Sequence, residues 1–140
     1  MINLFSLIRG FYYDCRKKNS LALSYYKKSK STFPFVMYRI GTLFVQQKQW
    51  KQAEKFLEQA LNGLNKKSFC AYRLGVALER QGRKQEAASF FYQALKLRPG
   101  WLPWVEHYLT CRLAVGEDSI NEDDMLLLGA KEADAWHGIA

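Results

Sequence analysis

The chain has 140 residues, 49% of them hydrophobic and 24% charged, a balance that fits one globular domain and excludes a disordered polyelectrolyte. Its net charge of +8 is unevenly placed: residues 1–100 hold 19 Lys and Arg against 5 Asp and Glu, and residues 101–140 hold 2 against 8. Three widely spaced cysteines, Cys15, Cys70 and Cys111, do not form the framework of a stapled secreted scaffold; they suit buried, reduced thiols in a cytoplasmic chain.

Residues 1–33 read as a helical hairpin. Leu4, Phe5, Leu7, Ile8, Phe11 and Tyr12 give one helix a wide apolar face, and Asn19 or Ser20 is placed to cap a second helix through Leu21, Tyr25 and Tyr26. The apolar run Ile2 to Ile8 has no basic segment before it and no small-residue cleavage site after it, so it is not expected to be a secretory signal. No stretch approaches the roughly 20 apolar residues of a membrane span. An apolar first helix followed by Arg16, Lys17 and Lys18 also admits a peripheral membrane reading, but the cations bunch at its end, which favours packing of the apolar face against the following helices.

Residues 34–67 and 68–101 are one 34-residue unit written twice. Without a gap, Phe35, Tyr38, Arg39, Gly41, Gln47, Ala53, Phe56, Gln59, Ala60 and Leu61 fall on Phe69, Tyr72, Arg73, Gly75, Gln81, Ala87, Phe90, Gln93, Ala94 and Leu95. In the second copy Ala71, Leu74, Gly75 and Leu78 recur at helical intervals, and Ala87, Phe91, Ala94 and Leu95 do so after a break at Gln81 to Arg83. Each copy is therefore a helical hairpin. Gly75 and Ala87 remove bulk where its helices approach, Ala94 admits a neighbour, and Pro99 stops the second helix. A hairpin alone leaves apolar surface exposed, so such units must stack.

Beyond Pro99 and Gly100, a third pattern starts in Trp101 to Trp104, with Pro103 in the first turn and Gly116 at the end. Trp104, Val105, Tyr108, Leu109 and Leu113 would cover the end of the second unit. Ser119 to Glu122 has capping-box spacing for a helix through Met125 to Leu128.

Small residues at unit positions 8, 20 and 27, with large apolar residues at 7, 11, 24 and 28, resemble the tetratricopeptide repeat (TPR). The second copy departs at position 4, where Ala71 replaces an aromatic, and the first at Asn65, where a proline would stand. Gly10, Ala22 and Tyr26 keep the separations of positions 8, 20 and 24, while Arg9 and Ser29 break positions 7 and 27. The resemblance implies a single all-α domain over residues 1–140, a TPR-like right-handed superhelix of hairpins: 1–33 degenerate, 34–67 and 68–101 clear, and 102–140 supplying a C-terminal cap. Trp136, Ile139 and Ala140 repeat a TPR opening, which implies that the repeat series continues in a longer protein.

Nothing points to catalysis. His107 and His137 lack partners at metal or triad spacing, no glycine-rich phosphate loop is present, and the acids after Gly116 lack the central glycine of a calcium loop, so neither metal nor cofactor is expected. The resemblance instead implies a concave groove lined by the first helix of each unit. Its residues would be Phe35, Tyr38, Arg39 and Thr42, with Val45 and Gln46, then Phe69, Tyr72, Arg73, Val76 and Arg80, with Glu79. Arg39 and Arg73 would grip carboxylates or phosphates, or else stack on their neighbouring tyrosines. Co-chaperone TPRs that hold acidic chaperone tails carry Lys and Asn where this chain has Tyr38, Thr42, Tyr72 and Val76, so that ligand is not expected. The resulting expectation is a non-catalytic protein-interaction module for acidic protein or peptide partners. The Gly82 to Ala87 turn resembles bacterial TPRs that precede enzyme domains such as surface-polysaccharide transferases. The alternatives are a binder of nucleic acid or another polyanion through the basic face, and a peripheral membrane adaptor through the N-terminal helix.

Overall fold

Seven α-helices and their short connections make up the described residues, 2–65 and 67–116, in a computed structural model of the chain. They are α1 (Leu4–Cys15), α2 (Asn19–Ser29), α3 (Pro34–Gln46), α4 (Trp50–Leu61), α5 (Ser68–Arg80), α6 (Lys84–Leu97) and α7 (Leu102–Ala114). No strand occurs among the described residues. The helices gather into two compact units, α1–α4 in one and α5–α7 in the other.

Three antiparallel hairpins, α1–α2, α3–α4 and α5–α6, share one turn. The amide after each turn residue reaches back five residues in a Schellman closure: Lys18 to the Tyr13 carbonyl at 2.9 Å, Gln49 to Phe44 at 3.0 Å and Arg83 to Leu78 at 3.0 Å. The residue before that amide is left-handed in every case, Lys17 at φ 59°, Lys48 at φ 61° and Gly82 at φ 82°. Only the third turn has the residue that this conformation favours.

The hairpins also share their packing. A Cβ on Gly41 would lie 2.6 Å from Leu57 Cγ, one on Gly75 2.7 Å from Phe91 Cε1, and one on Gly10 2.6 Å from Tyr26 Cδ1. Each glycine therefore makes room for the large side chain at position 24 of its own hairpin. Ala22, Ala53 and Ala87 at position 20, and Ala60 and Ala94 at position 27, are fully buried. Ser29, expected to break position 27, is buried there as well. Its hydroxyl donates to the Tyr26 carbonyl at 2.5 Å and accepts from the Ser31 amide at 3.2 Å, so a polar residue fits an alanine site with its hydrogen bonds made locally.

Several local expectations change. Asn19 is the first residue of α2 and the cap is Lys18, without a side-chain bond; Asn19 Nδ2 instead donates to Gln46 Oε1 at 2.8 Å. The side-chain cap lies one helix earlier, where Asn3 accepts from the Ser6 amide. α1 buries only Ser6, Leu7 and Gly10, leaving Leu4, Phe5, Ile8 and Tyr12 exposed rather than packed on the following helices. α7 packs on α6 through Trp104, Val105, Tyr108 and Cys111, while Leu113 faces solvent because Cys111, a turn beyond Tyr108, takes the inward position. Pro103 sits in the first turn of α7, and Gly116 follows its end at φ 87°. The capping box at Ser119, the helix through Met125 and the Trp136 to Ala140 motif lie outside the described residues.

Candidate interaction surface

In the first unit, α3 meets α1 through an aromatic pair and an ion pair. Phe35 stacks on Phe11 at 6.1 Å between ring centres and remains 53% exposed. Four residues on, one helical turn, Arg39 donates from Nε to Asp14 Oδ2 at 2.8 Å and from Nη2 to Asp14 Oδ1 at 2.7 Å. Tyr26 of α2 also donates its hydroxyl to Asp14 Oδ2, at 2.8 Å. Burial pulls the Asp14 carboxyl upward, but the hydrogen bonds from Arg39 and Tyr26 and the guanidinium charge outweigh it, so the carboxyl titrates below its ordinary value. The phenol of Tyr26 is pushed up by burial and by that carboxylate.

Arg39 therefore neither waits open in a groove nor stacks on Tyr38: its fork is filled by Asp14. Tyr38 is half-buried beside it. Thr42, expected to line the groove, is 1% exposed, and its hydroxyl has no partner among the described residues. It belongs to the core of the unit, because α2 and α4 both pack on α3.

In the second unit, α7 covers much of the equivalent face of α5. Tyr72 stacks on Trp104 at 5.1 Å with 17° between planes, and Phe69 meets Trp104 edge-on at 5.3 Å. Burial raises the Tyr72 phenol above its ordinary value, outweighing the lowering effect of Arg73. The Arg98 guanidinium lies 5.1 Å from the Phe69 ring centre. Arg73 and Val76 are half-buried, and Arg80 is exposed.

Beside these, Glu79 links two residues of α7: its Oε1 is 3.0 Å from His107 Nδ1, and its Oε2 accepts from Cys111 Sγ at 3.2 Å. Glu79, Arg80, Lys84, Glu106, His107 and Thr110 line an open cleft of about 560 Å³. Cysteine, histidine and a carboxylate lie together here, but in an order unsuited to nucleophilic catalysis. The thiol donates to the carboxylate instead of to the imidazole, and burial with that hydrogen bond pushes it up to about 12. No group of His, Cys, Asp and Glu able to hold a metal occurs among the described residues.

The two acid–base contacts occupy the same repeat positions. With Asn3, Pro34, Ser68 and Leu102 each taken as position 1, Asp14 and Glu79 are at unit position 12, while Arg39 and His107 are at unit position 6. Arg39 and Glu79 are among the groove residues that the sequence implies, whereas their partners Asp14, His107 and Cys111 are not. The available signal was the acid at position 12, which the 34-residue register reveals once it is extended beyond the doubled stretch.

A family model described as tetratricopeptide repeat matches residues 35–99. Residues 35–99 are tetratricopeptide repeats. Solved structures of TPR proteins have the same fold over most of the chain. MamA is 16% identical, with 88% of this chain and 72% of that one aligned at a TM-score of 0.71. YrrB, described as a TPR protein with an unusual peptide-binding site, is 17% identical, with 93% and 70% aligned at 0.70. The second TPR domain of human RPAP3, solved in complex with the HSP70 peptide SGPTIEEVD, is 20% identical, with 77% and 96% aligned at 0.65. No curated protein matches the sequence. No helix among the described residues is long and apolar enough to cross a membrane.

Proposed function

We propose that this TPR chain is a non-catalytic module that binds an extended or helical segment of a partner protein through the first helices of its repeats. The observation that carries this reading is the aromatic ring left open at position 2 of each unit taken by itself, Phe35 being 53% exposed in the first and Phe69 37% exposed in the second. Large rings held by neighbouring rings, Phe35 on Phe11 and Phe69 against Trp104, bind a partner with little further loss of side-chain freedom. Tyr38 joins Phe35 on the candidate surface of the first unit, and Arg73, Val76 and Arg80 join Phe69 on that of the second. Arg39, Thr42 and Tyr72 support it from within, since each is already engaged or buried. The cationic balance of residues 1–100 favours a partner with acidic side chains beside its apolar ones.

The human RPAP3 domain is seen with an acidic peptide, which supports peptide binding as a use of this fold. A chaperone tail is not the expected ligand, because the clamp positions here are Tyr38, Thr42, Tyr72 and Val76. The test is selection of a displayed random-peptide library on the 140-residue chain. Peptides with acidic and apolar residues are expected to enrich, and Phe35→Ala with Phe69→Ala is expected to lose them by about tenfold or more at unchanged helicity. Equal binding by the double variant would place the site elsewhere.

A further inference from the structure

Apart from Phe11, which holds Phe35, the exposed apolar face of α1 has no part in the proposed function. Successive helical residues are about 100° apart, so Phe11, Leu4, Cys15, Ile8, Tyr12 and Phe5 fall in that order within an arc of about 120°. All six are exposed, Phe5 to 79%, Leu4 to 63% and Ile8 to 55%, while the opposite side buries Ser6, Leu7 and Gly10 against the hairpin. A 12-residue helix presents such a strip over about 18 Å.

The surroundings of the strip are cationic. Arg16 and Arg9 border it in the next steps around the helix, and the Arg16 guanidinium lies 5.3 Å from the Tyr12 ring centre. Lys17 and Lys18 follow its C-terminal end. At the other end the Asn3 amide donates to the Ser29 carbonyl at 2.8 Å, which brings the end of α2 to the start of α1; Lys28 and Arg9 lie over the same Tyr25 ring at 5.4 and 5.8 Å, while Lys27 turns to the Phe44 ring at 5.6 Å. Folding thus sets Lys28 beside Arg9, although in sequence it lies well beyond the apolar run. Asp14 is the one acidic residue in positions 1–53, and Arg39 and Tyr26 already hold it.

We propose that this face docks α1 lengthwise on an anionic lipid surface, with the apolar arc at the level of the upper acyl chains and the cations among the headgroups. The fit is one of charge and shape. An apolar ridge with cations along one side and after its C-terminal end needs an apolar layer bounded by negative charge, which an anionic bilayer interface presents. Tyr12 joins an apolar ring to a polar hydroxyl, as residues at that depth do. A second copy on the same face would bring five cations, Arg9, Arg16, Lys17, Lys18 and Lys28, against five.

Flotation of the 140-residue chain with vesicles tests this. Binding is expected to vesicles of three parts phosphatidylcholine to one part phosphatidylserine, with little to phosphatidylcholine alone, and is expected to weaken as salt is added. Leu4→Gln with Phe5→Gln and Ile8→Gln is expected to cut partitioning about tenfold or more. These side chains are exposed, so circular dichroism and the melting temperature should not change. Vesicles are also expected to slow alkylation of Cys15, which lies on the arc. Equal binding by the triple variant, equal binding to neutral vesicles, or unprotected Cys15 would overturn the proposal. So would absence of vesicle binding together with a dimer that the triple variant makes monomeric, or with RNA capture that the variant loses.

Discussion

Arg39 closes both prongs of its guanidinium on Asp14, joining α3 to α1 across a pair whose side chains are 25% and 12% exposed. Removing the cation would leave a carboxylate with only the Tyr26 hydroxyl to stabilise it. Arg39→Ala is therefore expected to destabilise the fold by about 2 kcal/mol in urea denaturation at neutral pH, more than an exposed pair would. Arg39→Lys should recover part of this, since an ammonium keeps the charge without the fork. The pH dependence follows from the depressed Asp14 carboxyl. A carboxyl that titrates lower when folded adds stability above its unfolded value of about 3.9, and that stability is lost as pH falls through the folded value. The difference between wild type and Arg39→Ala should accordingly be full near pH 6 and shrink in acid. A difference that stays constant with pH would show that lost packing, not the ion pair, sets the cost.

The repeat made the fold legible because positions 8, 20 and 27 are steric requirements: a side chain of the wrong size there collides with a neighbour whatever else the sequence does. Gly41, Gly75, Ala53 and Ala87 accordingly sit where the periodicity places them. The surface was less legible because its state depends on residues outside the doubled stretch. Arg39 and Arg73 are identical in the alignment, yet what occupies Arg39 is Asp14, 25 residues earlier and outside the doubled stretch. Tyr72 is covered by Trp104, which belongs to neither clear copy. Identity between two units records a shared scaffold demand, whereas availability depends on whichever helix packs next.

Thr42 gives a direct test of the boundary between core and surface. Its hydroxyl is buried without a partner among the described residues, a state that costs roughly 1–3 kcal/mol relative to a hydroxyl left in water. Valine has nearly the same shape and no polar group. Thr42→Val is expected to stabilise the protein by about 1 kcal/mol in urea denaturation, while leaving selected peptides bound as tightly as before. Destabilisation would mean that a bound water satisfies the hydroxyl, and lost peptide binding would return Thr42 to the groove.

The left-handed lysines at the first two turns are a second source of recoverable stability. Lys17 and Lys48 adopt the conformation that Gly82 adopts in the third turn, and a residue with a Cβ pays for it with about 1 kcal/mol of steric cost. Lys48→Gly is expected to raise stability by roughly 0.5–1 kcal/mol, the loss of unfolded-chain restriction offsetting part of the gain. The reciprocal change Gly82→Lys should lower it by a similar amount. Nothing lies within 4 Å of a Cβ at Gly82, so backbone strain alone would be measured. Equal melting of Lys48→Gly and wild type would put the conformational cost of this turn below that range.

The three cysteines should separate cleanly by reactivity. Cys15 is exposed on α1, while Cys70 and Cys111 are fully buried, and burial pushes the thiol of each up to about 12. For Cys111 the carboxylate of Glu79 adds to the effect, because the thiol proton is the one it accepts. At pH 8 a thiolate reagent is expected to modify Cys15 within minutes and the other two only as fast as the second unit opens. Labelling of all three at one rate would contradict the burial of α5 and α7. Glu79→Gln supplies a control on the chemistry: a neutral amide still accepts a hydrogen bond but no longer disfavours a thiolate. If local opening limits the reaction, the substitution should leave Cys70 unchanged and alter Cys111 only through stability; if the native thiol reacts, Cys111 labelling should quicken selectively.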